Sequence, residues 1–172
     1  GKGANQAVSA ARSGAQTFFV GEVGKDSGGE MMLNDLRENG IDVSGIRENA
    51  QVGTGSAAIL LDEHGQNSIL VYGGANQQLS VDDVNAAKKQ IMEADFVVAQ
   101  FATLRAFELA KENGVTTILN PAPAQKIDPA VLKLTDLIIP NETESQALTG
   151  IIITDETSML MSAAKFAQMG VR

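Results

Sequence analysis

Apolar and polar positions switch between two periods along nearly the whole chain. Residues 4–12 are small and apolar with helical spacing, and Gly14 is placed to stop that helix. Residues 17–20 are a short apolar run of strand type. Residues 29–39 return to the helical period, with Met32, Leu33 and Leu36 on one face and Gly40 after them. Residues 56–61 and 68–72 are strand-like with no helix between them. The intervening Asp62-Glu63-His64-Gly65-Gln66-Asn67 has the composition of a hairpin loop, so the two runs are predicted to pair antiparallel. Alternation then resumes. Ser80 with Asp83 resembles a capping box, with Asp in place of Glu, opening a helix to about Glu93. Residues 96–99 read as a buried strand, 102–113 as a helix stopped by Gly114, and 116–119 as a strand. Asp128-Pro129 is an N-cap followed by Pro at the first helical position. Residues 137–139 are a strand, Asn141 caps a helix ending at Gly150, and 156–169 form an amphipathic helix stopped by Gly170.

Apolar strands alternating with amphipathic helices predict an α/β protein with a doubly wound, Rossmann-like, mostly parallel sheet covered on both faces. Residues 1–45 and 73–172 are assigned to this core, and 46–72 to a small antiparallel extension. No repeat of solenoid period and no low-complexity tract interrupts it. Of the 172 residues 44% are hydrophobic and 20% charged, enough for a packed core. The net charge of -8 argues against a nucleic-acid partner, since a phosphate backbone needs a basic footprint. The absence of cysteine removes disulfides and thiolate metal sites, and fits a reducing, cytoplasmic compartment. No apolar run reaches the length of a membrane span. No signal peptide opens the chain, although its first residue, Gly1, points to a natural start further upstream. His64 is expected to be a solvated loop residue, and Met31, Met32, Met159, Met161 and Met169 to fill core gaps. Asp82 and Asp83 suit a helix N-terminus. Glu22 and Asp26 lie in a loop near Gly24, where an ordinary loop role is favoured over a place in a site wall.

Open α/β sheets bind ligands beyond the carboxyl ends of their strands. That rule selects Gln100 and Phe101, then Asn120 in Asn120-Pro121-Ala122-Pro123, then Pro140 followed by Asn141-Glu142-Thr143-Glu144. These polar clusters are expected to face one crevice. The opening Gly1-Lys2-Gly3-Ala4-Asn5-Gln6-Ala7 reads as a glycine-rich loop feeding a helix, with Lys2 and Asn5 able to donate to hydroxyl oxygens. A tight turn plus a helix start explains the same stretch equally well. A dinucleotide fingerprint fails at Gln6, and a Walker A loop around Gly24-Lys25 fails at Phe19 and Asp26. Residue types alone favour Asn141 and Glu144 as no more than a helix cap and its partner.

Several motifs fall in one order. Gly1-Lys2-Gly3-Ala4-Asn5-Gln6-Ala7 continues through Gly14 to Gly24. Thr54-Gly55-Ser56-Ala57-Ala58-Ile59, Gly74-Ala75-Asn76, Asn120-Pro121-Ala122-Pro123 and Pro140-Asn141-Glu142-Thr143-Glu144 follow. In this order they resemble the ribokinase-like, or pfkB-type, carbohydrate kinases over nearly the whole chain. The resemblance implies ATP-dependent phosphorylation of D-ribose at its primary 5-hydroxyl. Fructose, a keto-deoxy sugar acid or a nucleoside as the acceptor, or sugar binding without catalysis, are the alternatives. It implies that Gly1, Lys2 and Asn5 hold sugar hydroxyls and that Ala57, Ile59 and Val71 form the apolar face of a β lid over the sugar. Asn141 and Glu144 would organise the Mg²⁺–phosphate region, with Glu144 reaching the metal through water. ATP, Mg²⁺ and a monovalent cation such as K⁺ are the implied cofactors, and lid strands from two subunits are expected to pair into a homodimer.

The chain also departs from the family pattern. An opening strand bearing a sugar-binding Asp is expected before Gly1. The Gly-Ala-Gly-Asp-like segment with the catalytic Asp, the adenine pocket and the cation loop are expected beyond Arg172. A sugar-contacting Glu and its neighbours are expected between Phe101 and Ala102. The chain as it stands would therefore lack the general base and be inactive.

Overall fold

The computed structural model describes residues 1–100 and 104–172; the expected break between Phe101 and Ala102 lies outside them. The chain divides into two compact units, Gly1–Ala87 and Lys88–Arg172.

The first unit contains α1 (Lys2–Arg12), β1 (Phe18–Gly24), α2 (Ser27–Glu38), β2 (Asp42–Asn49), β3 (Ser56–Leu61), β4 (Asn67–Tyr72), a 3₁₀ turn (Gly74–Gln78) and α3 (Val81–Ala86). The glycine-rich opening is helix rather than loop. Lys2 begins α1, and the Asn5 amide already donates to the Gly1 carbonyl at 3.0 Å. β1 and β2 pair in parallel across α2. Ala7, Leu36 and Ile41 are buried at their core, with Ala4, Val8, Phe19, Met32, Val43 and Ile46 against them. Leu36 is fully enclosed, so Leu36→Ala would cost about 2–5 kcal/mol.

The sequence did not mark β2 as a strand. Asp42-Val43-Ser44-Gly45-Ile46-Arg47-Glu48-Asn49 is poor in strand formers, and its pairing slips register between Phe18 and Val20. Residues 46–49 thus belong to this parallel pair. β3 and β4 pair antiparallel from Ser56↔Tyr72 to Leu61↔Asn67, within one residue of expectation. In their loop the Asp62 carboxylate accepts from His64 N at 2.9 Å and Gln66 N at 2.8 Å, an Asx-type turn. His64 is solvent-exposed, as expected.

The predicted 80–93 helix is two helices. The Ser80/Asp83 box opens α3, whose end tightens at Ala87. The second unit then starts with α4 (Lys88–Glu93). It continues with β5 (Phe96–Ala99), α5 (Leu104–Glu112), β6 (Thr116–Leu119), α6 (Pro129–Lys133), β7 (Leu137–Ile138), α7 (Glu142–Thr149) and α8 (Glu156–Gln168). The strands run parallel in the order β5-β6-β7. Phe107, Leu119, Val131, Leu132, Phe166 and Val171 form the core. The start of β7 is pinned to β6 by Asp136, which accepts from Lys111 Nζ at 2.7 Å and Thr117 N at 2.9 Å.

Two expectations need correction. Phe96, Val98, Leu137 and Ile139 are exposed, so among the described residues one face of the three-stranded sheet is left open. Met32 and Met169 pack against the cores, but Met31, Met159 and Met161 stand in solvent. Helical spacing assigns a face without stating whether that face meets a neighbour.

Candidate functional site

In the second unit the carboxyl ends of all three parallel strands meet at Asn120. Its backbone N–H donates to the Ala99 carbonyl, at the end of β5, at 2.8 Å. Its side-chain Nδ2 donates to the Ile139 carbonyl, just past β7, at 2.9 Å. Asn120 therefore sets the path of the chain into Pro140 and Asn141. Asn141 is the N-cap of α7: its Oδ1 accepts from Glu144 N at 2.8 Å, and a Glu144 carboxylate oxygen accepts from Asn141 N at 3.0 Å. The Glu144 residue is only 5% exposed. A buried Ser145–Ser162 hydroxyl pair fastens α7 to α8. A groove of about 460 Å³ runs beside Asn141 between β7 and α8, walled by Ile138, Ile153, Phe166 and Val171. The outcome is a helix N-terminus carrying a fixed amide and one fixed carboxylate at the ligand-binding end of a parallel sheet, an arrangement that favours a phosphate group with a hydrated cation. Gln100 is half-buried at the end of β5, and Phe101 lies outside the described residues.

In the first unit Gly1 precedes α1, and Lys2 and Asn5 sit three apart on that helix, hence on one side of it. Asn5 borders an open groove with Ser9, Arg12 and Asp35. Ala57 and Val71 are cross-strand partners, as are Ile59 and Ile69, so Ala57, Ile59 and Val71 share one face of the hairpin. That face is open, with Val71 74% exposed. The implied sugar-holding residues therefore all belong to the first unit, and Asn141 and Glu144 to the second.

Glu22 is no loop residue: it lies within β1 and is buried. Its two oxygens accept from Arg47 Nη2 and Asn49 Nδ2, each at 2.6 Å. Arg47 also meets Asp83 at 2.9 Å. Glu22 thus ties β1, β2 and α3 together. Asp26 is the N-cap of α2 and also binds Thr54. The Thr54 hydroxyl first, then the backbone N–H groups of Thr54 and Gly29, hold its carboxyl down at about 2. Neither the Asn120 tie nor the Asp26 tie had a signal in the sequence, because the partners are far apart along the chain.

Among the described residues no three His, Asp or Glu side chains converge as a metal cage. A single buried carboxylate beside a helix N-terminus suits Mg²⁺ held through water, because that ion keeps much of its hydration shell.

The fold is that of the ribokinases. A structure of Arabidopsis thaliana ribokinase complexed with ribose and ATP matches at a TM-score of 0.90 and 31% identity, over 99% of this chain and 58% of that one. The chain belongs to the pfkB family of carbohydrate kinases, which it matches over residues 1–172. It is 46% identical to the ribokinase of Staphylococcus aureus, over all of this chain and 58% of that protein. It is 48% identical to the bifunctional ribokinase/ribose-5-phosphate isomerase A of Fructilactobacillus sanfranciscensis, over all of this chain and 33% of that protein. The chain thus spans less than two thirds of the length of these relatives.

Proposed function

We propose that this chain is the sugar-gripping and phosphate-organising part of a kinase that transfers the γ-phosphoryl group of ATP to the primary 5-hydroxyl of D-ribose. The observation that carries the reading is the convergence of Asn120, Asn141 and Glu144 at the carboxyl ends of β5, β6 and β7. The family supplies the reaction class, and the ribokinases at 46–48% identity supply the sugar. In this reading Gly1, Lys2 and Asn5 hold ribose hydroxyls, and Ala57, Ile59 and Val71 close over the ring and exclude water. Asn141 and the α7 N-terminus favour the phosphates, and Glu144 orients the water shell of Mg²⁺. The ion supplies neutralisation of charge on the phosphate oxygens.

A panel of ribose, 2-deoxyribose, fructose and adenosine, assayed with the whole protein and ATP, tests this. Ribose should lead the others in kcat/KM by about tenfold or more. ADP release with none of the four would end the kinase reading, and a lead for fructose or adenosine would end the ribose assignment.

The hairpin is also proposed to mediate homodimerisation. Ala57, Ile59, Leu61, Ile69 and Val71 make one face apolar, and Ala58, Leu60, Leu70 and Tyr72 the other. Every residue of both strands is exposed, and neither outer edge pairs with another strand among the described residues, a combination that proteins normally cover. Light scattering of the whole protein at micromolar concentration should give twice the chain mass, and a monomer there would remove the proposal.

A further inference from the structure

The base of the β3–β4 hairpin is tied to the β1–α2 corner by one side chain. Asp26 Oδ1 accepts from Gly29 N at 2.8 Å, which caps α2, and from Thr54 Oγ1 at 2.6 Å. Oδ2 accepts from Thr54 N at 2.8 Å. The same hydroxyl accepts from Gly24 N at 2.9 Å, so its proton and a lone pair are both in use. The approach is close enough to require glycine. A side chain at Gly24 would strike the Thr54 amide, and one at Gly55 would strike the Asn76 side chain and the Gly73 carbonyl. The returning leg is joined to the first by Ala75 N donating to Gly53 O at 2.9 Å. A cap needs only an acceptor for Gly29. The two further bonds to Thr54 serve the hairpin instead.

We propose that Asp26 is a positioning residue for sugar binding: its clasp on Thr54 sets the direction in which the hairpin leaves the β1–α2 corner, and so where Ala57, Ile59 and Val71 stand over the sugar. This deepens the ribose-kinase reading and rests on it. All residues of β3 and β4 are exposed, so the hairpin's direction is carried by its base. Ile59 is four residues beyond Gly55, about 13 Å along an extended strand. A tilt of about 10° at the base would therefore displace it by about 2 Å, enough to spoil a contact with a ring. The bonds to Thr54 are charge-assisted, the stronger kind.

The variants separate the clasp from the cap. Asn is as good an N-cap as Asp, so Asp26→Asn keeps the bond to Gly29. It also turns an NH₂ group against the Thr54 N–H. Thr54→Val removes the hydroxyl, and Thr54→Ser keeps it. In the whole protein, Asp26→Asn and Thr54→Val should each raise KM for ribose about tenfold with KM for ATP unchanged. Thr54→Ser should stay near wild type. The double variant should be no worse than either single, because both remove the same interaction. Hydrogen exchange at Thr54 and Ala75 should quicken in Asp26→Asn while α2 amides stay protected. An unchanged ribose KM in an active Asp26→Asn enzyme, equal losses for ribose and ATP, or a Thr54→Ser variant as poor as Thr54→Val would overturn the proposal. If the wild-type protein phosphorylates no sugar, the functional reading fails first. Exchange at Thr54 and Ala75 then still decides, and unchanged rates would show that Asp26 does not hold the hairpin.

Discussion

The N-termini of α2 and α7 are both capped by a side chain next to a carboxylate or carrying one, yet the two caps differ in reach. At α7 the capping bonds join residues three apart, Asn141 to Glu144 and back, and fix a polar corner at the sheet's carboxyl end. At α2 the capping carboxylate also crosses 28 positions to Thr54 and holds a second element. The α7 corner lies at the carboxyl end of its strands, where open α/β sheets bind ligands. A cap that reaches elsewhere uses its charge within the fold. The first therefore suits a ligand-facing role and the second a mechanical one.

Loss of charge without loss of the cap gives the largest expected effect. Gln serves as well as Glu in a capping box, so Glu144→Gln should keep the α7 cap. It should nevertheless lower kcat by about 10–100-fold in the whole protein and raise the Mg²⁺ concentration needed. An unchanged Mg²⁺ titration would take Glu144 out of the metal's surroundings and leave α7 with a structural cap only. Next is Asn5→Ala on α1, which should weaken ribose binding about tenfold by calorimetry and leave nucleotide binding alone. Equal weakening of both ligands would contradict its assignment to the sugar. Asn141→Ala should cost about 1 kcal/mol of stability in denaturant titration, the ordinary value of a lost cap. Asp26→Asn keeps the α2 cap but loses the clasp, so its cost should show at the hairpin base, with faster exchange at Thr54 and Ala75 and the α2 amides still protected. Faster exchange along α2 as well would show that the cap itself had failed and remove the contrast.

The smallest effect is one of pH. The folded carboxyl of Asp26 lies at about 2, below its ordinary 3.8. Its ionised form therefore favours the folded state, fully so above 3.8, and that contribution is lost as pH falls through about 2. Amides at the hairpin base should lose protection over that acid window and stay unchanged through neutrality. Loss already near pH 6 would assign the clasp to another group.

Much of the fold was legible in the chain. The Ser80/Asp83 and Asn141/Glu144 boxes, the Asp128-Pro129 start, the polar loop of the hairpin and the helix stops at Gly40, Gly114 and Gly150 rest on residues at most a few positions apart. Of the candidate site, the Asn141/Glu144 corner was visible for the same reason. The opening glycines suggested a loop leading to a helix at Ala4, but the helix already begins at Lys2, with Gly3 inside its first turn. β2 was invisible because its polar sequence forms a strand only when β1 offers it a ladder.

What the sequence alone determined, then, is local: where helices begin and end, which side of the hairpin each residue takes, and the ordered motifs that mark the family. The tertiary structure decided the β1–β2 pairing, the burial of Glu22 under Arg47 and Asn49, the Asn120 bond to Ile139 and the Asp26 clasp on Thr54. Those partners lie 19 to 28 positions apart. Residues three or four apart meet whenever a single turn forms. Residues that distant meet only after loops have closed and a core has aligned two elements, so neither member carries a local sign of the other.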